Sequence, residues 1–139
     1  VDRLRDTMQQ QIINFDEVGF SRSLEVMVST VPYELHIPAE SYYHSLMLIW
    51  MRLLGFKIHG EEHNNIGRSD AVWEQPNLTV IAEIKYHADK TVDTLLDDAI
   101  KQIHDRRYYN KYLGKVILLG IVFSGKQTGC RMEELNINN

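Results

Sequence analysis

Asp70-Ala71-Val72-Trp73-Glu74-Gln75-Pro76-Asn77-Leu78-Thr79-Val80-Ile81-Ala82-Glu83-Ile84-Lys85-Tyr86 reads as a strand, a turn and a strand. Residues 68–74 form the first strand and residues 78–86 the second, which is rich in β-branched residues. Gln75-Pro76-Asn77 between them is turn chemistry. The second strand alternates. Leu78, Val80, Ala82 and Ile84 face one way and form an apolar face. Thr79, Ile81, Glu83 and Lys85 face the other way, which begins apolar and ends in a carboxylate and an amine. Charge on a buried strand is costly unless it is paired or holds a metal.

The turn fixes a register. Centring the hairpin between Pro76 and Asn77 puts Asp70 directly across from Glu83, with Cβ atoms about 4.5–5.5 Å apart on one face. Two carboxylates at that distance repel and raise one pKa unless a cation lies between them. Lys85 shares the face two residues on. This oxygen-rich set suits Mg²⁺ or Mn²⁺ better than zinc. Lys85 would then orient or deprotonate an attacking water and steady developing charge on a phosphate. A second reading of the same residues is a salt-bridge ladder, in which Arg68 and Lys85 neutralise the two carboxylates. The residues alone leave both open.

Outward from the hairpin, residues 91–113 carry Val92, Leu95, Leu96, Ala99 and Ile103 at helical spacing, and Gly114 stops the helix. Residues 115–124 are almost continuously apolar, the pattern of a strand covered on both faces. Residues 130–135 form a weak last strand. Upstream, residues 38–54 are a helix with an apolar stripe of Leu46, Ile49, Trp50, Leu53 and Leu54, stopped by Gly55. Residues 56–63 alternate as a strand, and Asn64-Asn65-Ile66-Gly67 is a turn. The order α–β–β–β–α–β predicts an α/β fold with a central mixed sheet flanked by helices. Residues 1–30 read as two helices, 2–13 and 21–30, broken by residues 14–20 with Gly19 as a breaker. They form an N-terminal appendage or the tail of a preceding domain, and residues 31–139 form the main domain.

At 139 residues and 44% hydrophobic content, the chain has the material for one core. The apolar run that begins at Leu46, like every other in the chain, is far short of the ~20 residues a membrane span needs. The charged N-terminus is unlike a signal peptide, and the missing initiator Met suggests a piece of a longer protein. The single Cys130 cannot form an internal disulfide, which points to a reducing, cytoplasmic setting. The net charge is −4 but unevenly spread. Residues 61–100 hold nine acids against three bases, a net of −6. Residues 101–126 hold six bases against one acid, a net of +5. An acidic half beside a basic half suits a metal site next to a phosphate-binding surface, although on the charge distribution alone ordinary surface charge is the better account. On the second helix, Arg106, Arg107 and Lys111 are candidates for phosphate contact. Glu40 and His44 share a helix face, and Glu62-His63 lies near the site in strand order. Tyr42, Tyr43, Tyr108, Tyr109 and Tyr112 are candidates for base stacking or for packing.

Gly67-Arg68-Ser69-Asp70 followed by Glu83-Ile84-Lys85 resembles the signature of the PD-(D/E)XK nuclease superfamily, with Ser69-Asp70 in place of Pro-Asp and Glu83-Ile84-Lys85 as (D/E)-x-K. A closer likeness runs from about residue 31 to residue 134. It is carried by Val31-Pro32-Tyr33, Glu40-Ser41-Tyr42-Tyr43-His44-Ser45, Leu53-Leu54-Gly55-Phe56, Gln102-Ile103 and Gly120-Ile121-Val122-Phe123-Ser124. These stretches are similar to the C-terminal nuclease-like domain of bacterial AAA-ATPase-like proteins. The resemblance implies a restriction-endonuclease-like core and a metal-dependent hydrolase acting on DNA, preceded in the full protein by an ATPase-like domain. It implies Asp70, Glu83 and the Ile84 carbonyl as metal ligands, Glu40 as an extra one, and Lys85 as the catalytic lysine. Gln102 and Tyr108 correspond to residues that contact the site or DNA. Arg106-Arg107 departs from the Lys-Gly pair frequent in relatives. The competing expectation is a catalytically inactive module of the same fold that binds nucleic acid or a partner. A third is a homodimerisation domain built on the apolar helix.

Overall fold

Pro76 and Asn77 close the central hairpin, and Asn77 takes the left-handed conformation (φ 66°) that asparagine tolerates better than most residues. In the computed structural model, which describes residues 2–59, 71–106, 108–125 and 127–138, strand β1 is Ala71–Gln75 and strand β2 is Leu78–His87. They pair antiparallel as Ala71↔Ala82, Val72↔Ile81 and Trp73↔Val80. This is the register expected from the turn centre. Asp70 lies outside the described residues.

Helix α1 (Asp2–Ile13), α2 (Glu17–Ser29) and α3 (Glu40–Leu54) precede the hairpin, and α4 (Val92–Arg106) follows it. Strand β3 (Gly114–Ser124) runs parallel to β2, and β4 (Gln127–Ile137) returns antiparallel to β3. The sheet order is β1-β2-β3-β4, so α4 is the crossover that parallel strands require. The fold is α/β with a mixed sheet flanked by helices, as the element order predicts.

The two faces of β2 go to different layers. Val80, Ala82 and Ile84 join Ile117, Leu119 and Ile121 under α1, α2 and α3, with Met8, Ile12, Phe20, Leu24 and Met27 fully or almost fully buried in the same cluster. On the opposite face, Ile81, Val116 and Leu118 pack with Ile103 of α4, and Val122 packs with Leu95, Leu96 and Ala99. Among the described residues no helix is long and apolar enough to cross a membrane.

Four local expectations are corrected. The break falls within the expected residues 14–20, but Gly19 is not the breaker and lies inside α2. The break is at Phe15 (φ 58°), and α2 starts at Glu17 with Asp16 as its cap, the Gly19 N–H donating to Asp16 Oδ1 at 2.9 Å. A Cβ on Gly19 would lie 2.2 Å from Asp16 Oδ2, so the glycine makes room for the cap. Residues 56–59 of the expected strand 56–63 carry only an isolated bridge, His59↔Val72, and residues 60–63 lie outside the described residues. The helix expected over residues 91–113 is α4, and it ends at Arg106 rather than near Leu113. A 3-10 turn, Tyr108–Lys111, brings Tyr109 and Tyr112 back onto the Ile103 cluster, and the Tyr109 hydroxyl lies 3.2 Å from His104 Nδ1. The buried face of α3 is Tyr43, Met47, Met51 and Leu54, whereas Ile49 and Leu53 are exposed. Residues 46–54 of that helix are apolar except for Arg52, so their pattern does not select the face that the sheet covers.

β4 is longer than the expected residues 130–135 and is an edge strand among the described residues. The start of α2 lies against it. Met132 N–H donates to Glu17 Oε2 at 2.6 Å, and Cys130 Sγ donates to the Glu17 carbonyl at 3.2 Å. Burial pushes the Cys130 thiol up to about 11. The unfolded thiol ionises first, near its ordinary 9.0, so stability contributed by the buried thiol is complete below pH 9. It should fall between about pH 9 and 11 and level off above. Denaturant midpoints of wild type and Cys130→Ala across pH 8–11.5 check this: the wild-type slope should be lost in the variant.

Candidate active site

Glu83 and Lys85 stand two residues apart on the α4-facing side of β2. Their neighbours on β3 are Gly120 and Val122. Glu83 is 1% exposed. A Cβ on Gly120 would lie 3.3 Å from Ala99 Cβ and 3.6 Å from Leu96 Cδ2, so the bare glycine lets α4 lie close against the sheet beside Glu83. That close approach brings Gln102 within reach of Lys85, whose Nζ donates a hydrogen bond to Gln102 Oε1.

At its carboxyl end β2 leads into α4 by a tied turn. His87 Nδ1 accepts from the N–H groups of Asp89 and Lys90 at 3.0 and 3.2 Å, Ser124 Oγ donates to the Lys90 carbonyl, and Thr91 caps α4 through the Thr94 N–H. An open cleft of about 560 Å³ lies here, over the carboxyl end of β2 and between the start of α3 and the polar face of α4. Ligands of open α/β sheets bind at this end of the strands.

Glu40, Lys85, Gln102 and Arg106 all line this cleft. The first is separated from the others by at least 45 residues of sequence, and the fold brings them together. The Ile84 side chain faces the opposite, apolar core, and its backbone pairs with Ile121. Lys111 lies outside the cleft, with Nζ 5.5 Å from the centroid of the Tyr112 ring. Asp70, Arg107, Glu62 and His63 lie outside the described residues, as does the side chain of Tyr108. Among the described residues no group of three or more histidine, cysteine or acidic side chains is close enough to hold a metal ion.

Four charged cleft residues, Lys90, Asp98, Lys101 and Asp105, were not singled out by the sequence reading. Lys90 pairs with Asp98 at 3.3 Å and Lys101 with Asp105 at 3.2 Å, both partly exposed. Such pairs are weak, so either lysine can turn to an incoming anion at little cost. The signal for three of them was present: Asp98, Lys101, Gln102 and Asp105 recur at helical spacing on the side of α4 away from Leu95, Ala99 and Ile103.

Comparison with curated proteins returns no match. Residues 38–133, well over half of the chain, match the family profile described as the PD-(D/E)XK nuclease superfamily. The match spans α3, the hairpin, α4, β3 and most of β4, and it includes every described residue that lines the cleft. By fold and by sequence, this chain belongs to the PD-(D/E)XK nuclease superfamily.

Proposed function

We propose that this domain is a divalent-metal-dependent nuclease that hydrolyses phosphodiester bonds in DNA. The observation that carries the reading is the Glu83/Lys85 pair, with Lys85 delivered into the cleft and bonded to Gln102. The reading requires Asp70 to stand opposite Glu83, one step beyond the Ala71↔Ala82 pair. Asp70, Glu83, the Ile84 carbonyl and Glu40 are then the ligands. Carboxylate and carbonyl oxygens are the donors that Mg²⁺ and Mn²⁺ take, so the donor set fits in kind. When bound, such an ion polarises a phosphate oxygen and lowers the pKa of a coordinated water.

The chain's own groups do the rest. Lys85 carries three N–H donors, and Gln102 takes one of them. The others are thereby aimed, and they hold an attacking water or a non-bridging phosphate oxygen in place. Arg106, Lys90 and Lys101 line the same cleft and supply positive charge to the flanking phosphates. Asp98 and Asp105 hold the two lysines until a phosphate arrives. The motif likeness supports a preceding ATPase-like domain in the full protein.

Wild-type protein should nick or cut plasmid and cleave single-stranded oligonucleotides in millimolar Mg²⁺ or Mn²⁺. EDTA should stop cleavage, and added metal should restore it. Absence of cleavage with both metals on both substrates would overturn the enzyme reading in favour of a non-catalytic binding module.

A further inference from the structure

β2 keeps its pairing to its last residue, with Lys85 opposite Val122 and His87 opposite Ser124. Side chains alternate along such a strand, so His87 continues the face of Glu83 and Lys85, about 6.6 Å beyond the lysine. His87 is exposed, and it lines the cleft together with Lys85 and Lys90.

The ring is held by one edge. Nδ1 accepts from the Asp89 N–H at 3.0 Å and from the Lys90 N–H at 3.2 Å, and the hydrogen bonds of His87 to described residues are all made there. A backbone N–H can only donate, so these contacts assign the tautomer: the neutral ring carries its proton on Nε2. Nε2 lies across the ring from the turn. It presents a donor and no lone pair, so it can bind an oxygen but cannot take a proton from water. The same turn fixes Lys90, whose carbonyl accepts from Ser124 Oγ. One tied turn therefore carries a neutral donor and an ammonium, two groups suited to the oxygens of one phosphate.

We propose that His87 donates through Nε2 to the phosphate next to the one held at Lys85, with Lys90 supplying the charge. The step from Lys85 to His87 along β2 is close to the separation of successive phosphates on one nucleic-acid strand. This deepens the nuclease reading and rests on it. The cleft then grips two neighbouring phosphates of one strand, and His87 is a binding residue rather than a base. A contact to a phosphate that does not react is equally strong before and in the transition state, so its loss raises KM and spares kcat.

Two substitutions separate this role from merely holding the turn. His87→Asn keeps an acceptor where Nδ1 stands, the side-chain oxygen of an Asx turn, and loses the reach of Nε2. His87→Gln keeps an N–H donor near the place of Nε2 and loses the acceptor. Fluorescence anisotropy of a labelled oligothymidylate in EDTA should show His87→Asn binding about tenfold more weakly than wild type, the loss expected for one hydrogen bond to a charged group. His87→Gln should restore most of that binding. With Mg²⁺ or Mn²⁺ added, KM for cleavage of the same oligonucleotide should rise in parallel in His87→Asn. The reverse order, with glutamine weak and asparagine like wild type, would show a turn-holding role and overturn the contact, as would equal effects of the two. A fall in kcat at unchanged KM in His87→Asn would also overturn it. Binding that Lys85→Ala weakens but neither His87 variant does would overturn the His87 contact alone. A wild-type chain that binds no oligonucleotide would sink the nuclease reading, and this contact with it.

Discussion

Lys85→Ala should lower the rate of metal-dependent DNA cleavage by on the order of 10²–10³-fold, because it removes the donor aimed at the attacking water or the phosphate. The geometry makes the loss a chemical one. Lys85 is only partly buried, at the end of β2 where the strand opens into the cleft. Its hydrogen bond is to the neutral amide oxygen of Gln102, so the loss should fall on the rate more than on the melting temperature. Lys85→Met, which keeps the aliphatic stem over the sheet, should be as inactive as the alanine variant. Asp70→Ala should cost at least as much, since it removes a proposed metal ligand. Initial rates on a single-stranded oligonucleotide, read beside thermal melts, check both. A rate within threefold of wild type for either Lys85→Ala or Asp70→Ala would remove that residue from the site.

Gly120→Val should destabilise the fold by about 1–3 kcal/mol, the usual cost of forcing extra methyl groups into a packed core. It should also depress cleavage. The first added carbon already meets Ala99 Cβ at 3.3 Å, and alanine has no torsion that could move that atom aside. The two further methyls of valine would have to lift α4 from the sheet. Because α4 carries Gln102, Lys85 would lose the partner that orients it. Gly120→Ala is the graded control. Its single methyl asks for a shift of a few tenths of an ångström, and removing glycine from the unfolded chain offsets part of the cost. Thermal melts and oligonucleotide cleavage should therefore rank wild type and alanine together, well above valine. A valine variant that melts and cuts like wild type would show that α4 does not depend on the bare glycine.

Most of the fold was legible because its determinants are local. Alternation along residues 78–86 separates two faces, and the Pro76-Asn77 turn fixes which β1 residue meets which β2 residue. The almost continuous apolar run of 115–124 identifies an interior strand, and β3 is paired on both sides. Local signals failed where packing chose between equal options. Residues 46–54 of α3, apolar except for Arg52, offer several faces to a sheet. Gly19 looks like a breaker until Asp16 folds back into the space left by its absent side chain. The tyrosines after Arg106 end α4 early because they pack on Ile103.

For the site, the sequence by itself determined the Glu83/Lys85 pair on one face of β2 and the hairpin register in which Ala71 meets Ala82. Strand periodicity and turn chemistry act over a few residues and need no other part of the chain. Only the tertiary structure decided that Glu40 and Arg106 share a cleft with Lys85 and that Gln102 holds the lysine. Those relations depend on how closely two helices pack against a sheet. That distance is set by side-chain volumes meeting across layers, such as Gly120 against Ala99, and residues so far apart in sequence carry no shared periodicity to reveal it.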